Sequence, residues 1–170
     1  MTRVIGFLLL QAASIVYAVQ YGRTRKKQLE GLTSWCDMLQ QLRGILEADA
    51  PPMPELLQTL ARRSRGDACD FILGLQTSLD RLGKESFQEL WNQALREKAS
   101  SFEEDIVHEL ETLGTVLGHY DIATQLQAVE TCQAMLLKYT GRLREELPQS
   151  SRLTFGLLIS ATLMLGILLI

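Results

Sequence analysis

Histidine is nearly absent from this chain, with only His108 and His119 in 170 residues. Cysteine is scarce as well, and Cys36, Cys69 and Cys132 stand far apart. Neither supply suits a zinc site, which needs several closely spaced Cys or His ligands. His108-Glu109 begins like a zinc-helix motif, but Thr112 stands where the second histidine belongs. An odd number of cysteines with no close pair also excludes a disulfide framework. Each lies among apolar positions at helical spacing, where a free cysteine is a small buried hydrophobe, and this fits a reducing compartment. The glycine-rich phosphate loop Gly-x-x-x-x-Gly-Lys-Ser/Thr is missing, and so is the Gly-x-Ser-x-Gly elbow of a nucleophilic serine. A carboxylate-rich bundle enzyme would place paired Glu-x-x-His motifs inward. Here Asp105-Ile106-Val107-His108 comes once, with an aspartate. The sequence thus offers no catalytic, cofactor-binding or metal-ligating set, and no enzyme activity, cofactor or small-molecule substrate is expected. Arg65-Gly66-Asp67 spells an adhesion tripeptide and reads as a helix break with Asp67 as an N-cap.

Long apolar runs are absent from the middle and present at both ends. Residues 4–21 hold 14 apolar residues in 18, and residues 153–170 hold 13 in 18. Between them, residues 22–152 are about 39 % apolar, with 51 in 131. Eighteen helical residues span roughly 27 Å, enough for a hydrocarbon core. Both ends are therefore expected to be transmembrane helices around a hydrophilic domain. For the first, a cleaved secretory signal with Val16 and Ala18 at the cleavage positions is the alternative. Lysine and arginine near the membrane ends set orientation. Arg23, Arg25, Lys26, Lys27, Lys138, Arg142, Arg144 and Arg152 lie on the domain side against Arg3 alone outside. That places the domain in the cytoplasm.

Within residues 22–152, 22 Leu face only seven Val plus Ile, which favours helix over strand. Apolar residues recur at spacings of three and four. Leu29, Leu32, Trp35/Cys36, Leu39, Leu42 and Ile45/Leu46 form a stripe that continues from the first membrane segment. Pro51, Pro52 and Pro54 end it, and Pro54 suits the first turn of a second helix with Leu56, Leu57 and Leu60 inward. A third helix follows Asp67, carries Phe71, Ile72, Leu75, Leu79 and Leu82 inward, and stops at Gly83. Ser86-Phe87-Gln88-Glu89 is a capping-box pattern for a fourth helix, and Ser101-Phe102-Glu103-Glu104 one for a fifth. The fifth ends at Gly118, and Asp121 caps a sixth with Ile122, Leu126, Val129, Leu136/Leu137 and Leu143 inward. Pro148 marks a hinge before the second membrane segment. The expectation is an all-α antiparallel bundle of about six helices, flanked by a transmembrane helix on each side.

Two features carry information beyond the fold. Residues 97–130 hold eight acids and one base, Lys98, for a net charge of −7. This is either a solvated helix face or an acidic surface for a basic partner, with Glu103, Glu104 and Glu111 the residues of that partner face. It argues against nucleic-acid binding. The second is Leu113-Gly114-Thr115-Val116-Leu117-Gly118-His119-Tyr120-Asp121-Ile122-Ala123-Thr124-Gln125. A glycine inside a helix costs roughly 1 kcal/mol against alanine, so Gly114 needs a close approach to offset it. The stretch is a tight helix–turn–helix corner, and one that could also dock a partner.

The pattern Leu113-Gly114, Leu117-Gly118, Asp121, Gln125 resembles the stage III sporulation protein AB family. So do the two apolar ends, the length and Trp91-Asn92-Gln93-Ala94-Leu95. The crowded Pro51-Pro52-Met53-Pro54 departs from the simpler Pro-Leu step of that family. The resemblance implies a component of the channel complex joining mother cell and forespore, held in the mother-cell membrane around the forespore. It implies a soluble domain like the cytoplasmic helical domain of type II secretion platform proteins, in contact with the complex's secretion-type ATPase. It carries over no catalytic residue. A helical bundle that binds a partner protein's helix in a groove is the alternative, and it would need an apolar central helix not seen in residues 22–152.

Overall fold

The computed structural model describes the backbone of residues 2–99, 102–119 and 121–169, and the side chains of residues 20, 23–99, 102–119 and 121–145. Six α-helices make up the described residues: α1 Thr2–Ala48, α2 Met53–Arg63, α3 Gly66–Ser78, α4 Phe87–Lys98, α5 Glu104–Val116 and α6 Ile122–Leu169. No strand occurs among them, and one isolated bridge joins Leu82 and Glu85. The chain divides into two compact units. One is Glu30–Thr140, and the other combines Met1–Leu29 with Gly141–Ile170. Apart from Gln20, the segments expected to cross a membrane, 4–21 and 153–170, lie outside the residues whose side chains are described. Among the described residues no helix is long and apolar enough to cross one.

The core of the unit Glu30–Thr140 is built on aromatic rings in series. Phe102 meets the edge of Trp35 at 5.7 Å between centroids, Trp35 tilts on Phe71 at 4.6 Å, and Phe71 packs edge-on to Trp91 at 4.8 Å. Phe87 completes the series against Trp91 at 5.9 Å. These rings tie α1, α3 and α4 to the turn before α5. Each buries on the order of 150–250 Å², so a handful of them dominates the core. Around them lie the expected leucine stripes: Leu32, Leu39, Leu42 and Leu46 of α1, Leu56, Leu57 and Leu60 of α2, and Leu110 and Leu113 of α5 are all buried. The cysteines behave as the apolar context requires. Cys36 and Cys132 are buried and Cys69 half-buried, and burial pushes the Cys132 thiol up to about 12, leaving it protonated and unreactive.

Helix ends follow local chemistry in most places. The N–H groups of Asp49 and Ala50 both return to the Ile45 carbonyl, at 3.2 and 3.3 Å, and Ala50 adopts φ +38 before Pro51. A residue before proline is barred from the right-handed helix, so α1 stops there. Pro52 stands at the N-cap of α2 with Pro54 in its first turn. Ser86 caps α4 with a complete capping box: its Oγ accepts from Glu89 N–H at 3.3 Å, and Glu89 Oε2 accepts from Ser86 N–H at 2.8 Å. The Ser86 N–H, and then its hydroxyl, hold the Glu89 carboxyl below the usual range.

Six positions depart from the sequence reading. Asp67 does not cap α3: Arg65 is the N-cap residue, and the Ala68 N–H is met from α1 by Ser34 Oγ at 3.4 Å. The second capping box is not the start of α5, whose N-cap is Glu103 without a side-chain cap bond. Phe102, whose N–H bonds the Ala99 carbonyl at 3.0 Å, packs on Trp35 and keeps the turn before α5 tight. Leu82 is 46 % exposed, because α3 gives way to a 3₁₀ turn at Leu79–Arg81 and the tighter winding breaks the inward register. Ile122 and Leu137 are also exposed, the first in the opening turn of α6 and the second rotated away from buried Leu136. Finally, α6 runs through Pro148 without a break, where a hinge was expected.

Candidate functional site

Gly114 is the most tightly packed glycine among the described residues. A Cβ built there would lie 2.2 Å from Trp91 Cδ1 and 2.6 Å from Cγ. Any side chain is therefore excluded by the indole itself. The reason α4 brings Trp91 to this spot is polar as well as apolar: Trp91 Nε1 donates to the Leu110 carbonyl at 2.7 Å. Leu110 lies one turn before Gly114, and a side chain at Gly114 would stand in the path of the indole to that carbonyl. The glycine thus opens one turn of α5 to an indole N–H, which would otherwise be an unpaired buried donor. What offsets the cost of a helical glycine is a side chain in a notch rather than the approach of two backbones.

The corner that follows is closed by two local devices. Gly118 sits at φ +79 just after the last turn of α5, in the left-handed region that favours glycine, and a Cβ there would lie 3.1 Å from Met53 Cε. Asp121 then caps α6: Oδ2 accepts from Thr124 N–H at 3.2 Å and Oδ1 from Thr124 Oγ1 at 2.7 Å. The hydroxyl of Thr124, followed by its N–H, holds the Asp121 carboxyl below the usual range. Leu113 and Leu117 are buried, while Gln125 is half-buried. The corner opens on a cleft of about 500 Å³ lined by Met53, Leu82, Phe87, Leu117, Gly118 and His119. The exposed Leu82 belongs to this cleft, which could accept an apolar side chain from another protein.

Of the three glutamates singled out in the sequence, Glu103 is the N-cap residue of α5 and Glu104 and Glu111 lie on the helix. Glu103 and Glu104 are exposed at its start, and Glu111 is half-buried two turns on, on the same face as Glu104. None of the three makes an ion pair or side-chain hydrogen bond among the described residues. Their neighbour Asp105 is engaged, accepting from the Tyr139 hydroxyl at 3.0 Å. The unpaired carboxylates thus form an outward acidic edge, and Glu103 and Glu104 also face the positive end of the helix. His108 and His119 are both exposed, and among the described residues no group of three His, Cys, Asp or Glu side chains is placed to hold a metal ion.

Sequence reasoning missed two partners. The sequence places Trp91 with Phe87, Leu90 and Leu95 in the fourth helix and in the family-like stretch but not against Gly114, although a buried tryptophan and a helical glycine on successive helices are the signal for such a notch. Ser34 was missed as a cap because its target lies 34 residues on.

A protein-family model described as stage III sporulation protein AB matches residues 3–170. The solved structure of stage III sporulation protein AB (SpoIIIAB) superposes with a TM-score of 0.59, at 17 % identity, over 69 % of this chain and 94 % of that one. At that identity the likeness concerns the fold. No curated protein sequence matches the chain significantly. With the match running over nearly its whole length, the chain belongs to the stage III sporulation protein AB family.

Proposed function

We propose that the protein is a membrane-anchored assembly or coupling component, without enzyme activity, of the channel complex between mother cell and forespore. Its two apolar ends insert in the mother-cell membrane, the helical domain faces the cytoplasm, and the acidic edge of α5 meets a basic face of the complex's secretion-type ATPase. Membership of the sporulation family supports a role in that complex. The observation that carries the contact surface is the trio Glu103, Glu104 and Glu111, which are directed outward with no partner of their own. Exposed, unpaired charge of one sign steers a complementary partner and loses its effect beyond roughly 8 Å at physiological salt.

Copurification of the tagged full chain from sporulating cells tests the reading. The complex's ATPase and membrane components should accompany it, and their absence under conditions that preserve the complex would refute the assignment. A reporter active only outside the cytoplasm, fused at residue 90, should stay silent. Activity of that fusion would reverse the orientation.

A further inference from the structure

The elbow between α2 and α3 carries three arginines in four residues, Arg62, Arg63 and Arg65, in a domain whose charge is otherwise acidic. Arg63 and Arg65 line a recess of about 560 Å³ whose other wall is α1, through Ser34, Asp37, Gln40 and Gln41. Charges this close normally find each other. Yet neither arginine makes an ion pair among the described residues, and Asp37 in the same recess makes none either. The recess also holds polar capacity that nothing uses: Gln41 Oε1 is buried without a partner. Between the two arginines, Ser64 is only 7 % exposed and its Oγ has no partner. A bundle gains nothing from leaving these groups unmatched, since a buried polar atom without a partner is costly.

We propose that this recess is a docking site for an acidic segment of a protein partner, its carboxylates held by Arg63 and Arg65 and its backbone met by Gln40. Arginine suits the role because its planar fork takes a carboxylate through two parallel N–H donors. Asp37 in the wall repels any anion held by the two arginines, and an extended peptide, unlike a compact phosphate dianion, can keep its carboxylates at the arginines and away from Asp37. The Gln40 amide offers a donor and an acceptor, the complement of a peptide group rather than of a headgroup. This face is opposite in sign to the acidic edge of α5 and independent of it, so one small domain can hold two unlike partners at once.

The test uses the full chain in mild detergent with a fluorescently labelled hexaglutamate peptide, read by anisotropy. Arg63→Ala with Arg65→Ala should weaken binding about tenfold, the loss of two charge-assisted contacts. Arg23→Ala with Lys26→Ala should leave it within about twofold, because those bases lie outside the recess. Asp37→Asn should strengthen it about threefold, a gain that no unfolding can mimic. Glu103→Gln, Glu104→Gln and Glu111→Gln together should not reduce it, which separates this site from the proposed ATPase contact. Equal losses in the two arginine-containing double variants, or no gain with Asp37→Asn, would overturn the proposal. So would inorganic phosphate or soluble phosphatidylglycerol displacing the peptide at equal concentration, which would mark a phosphate site instead.

Discussion

Of the three glycines at positive φ among the described residues, Gly66 at +58 lies between α2 and α3 and Gly118 at +79 between α5 and α6. These two elbows are finished in opposite ways. The Gly118 corner closes with residues next to it in sequence: Asp121 caps the following helix, and its carboxylate is met by Thr124. The Gly66 elbow has no side-chain cap of its own, borrows Ser34 from α1, and leaves the side chains of Arg63, Arg65 and Ser64 without partners among the described residues. A corner closed by its own local cap is a structural device. An elbow with unmatched charge beside a recess has capacity left for something else. The contrast shifts attention away from the most distinctive sequence motif and toward less conspicuous charges.

The largest effect should come from the notch beside the first corner. Gly114→Ala forces a Cβ into the indole of Trp91 and displaces its bond to Leu110, at a cost of about 3 kcal/mol. Thermal melting followed by circular dichroism checks this, and an unchanged midpoint would remove the notch as a constraint. Gly118→Ala should cost less, about 1–2 kcal/mol, from the left-handed backbone alone. The same substitution at Gly66 should cost a similar amount, because a Cβ there would find Ser34 at an ordinary 3.6 Å. A much larger loss at Gly66 than at Gly118 would break the comparison.

The caps discriminate more finely. Ser86→Ala removes a complete capping box and should cost about 1 kcal/mol, while Ser34→Ala, which removes the longer bond to the Ala68 N–H and a bond to the Gly31 carbonyl within its own helix, should cost about half of that. Denaturant titration resolves both, and the reverse order would contradict the geometry. The smallest effect concerns pH. Because Thr124 holds the Asp121 carboxyl below its usual range, that group stabilises the fold above its unfolded pKa of about 4 and ceases to do so as pH falls through the folded value. Asp121→Asn should therefore reduce the loss of stability between pH 5 and pH 2 (order-of-magnitude bounds of the carboxylate range). An identical pH profile would show that the cap bonds are not formed in solution.

How much of this was legible in the sequence follows from the range of each interaction. The helices, their leucine stripes, the Ser86 box, the Gly118 turn and the Asp121 cap rest on contacts within four residues, and all were readable. The Ser34 cap and the Trp91 notch join residues 34 and 19 positions apart, and no local pattern encodes them. Leu82 was misjudged because a change of winding at Leu79–Arg81 leaves no mark in apolar spacing. The N-cap of α5 is Glu103, and Ser101, the residue the sequence offers as a cap, lies outside the described residues. The Arg63–Arg65 recess had a signal, three bases in four residues, but only the fold reveals that Asp37 stands nearby without pairing.

The claim that unmatched charge on this bundle serves contact rather than solubility is tested most directly on the acidic edge of α5. Glutamine is the informative substitution, since lysine at Glu103 and Glu104 would also place positive charge at a helix N-terminus and weaken α5 itself. The full chain and its Glu103→Gln, Glu104→Gln, Glu111→Gln variant are titrated against the complex's ATPase at low and physiological salt, with melting curves run alongside. The expected result is tighter binding by the unaltered chain, a difference that shrinks as salt rises, and melting midpoints that agree within a degree or two, as for other exposed substitutions. Equal affinities for both chains at both salt concentrations would contradict the account and leave the acidic edge without a partner.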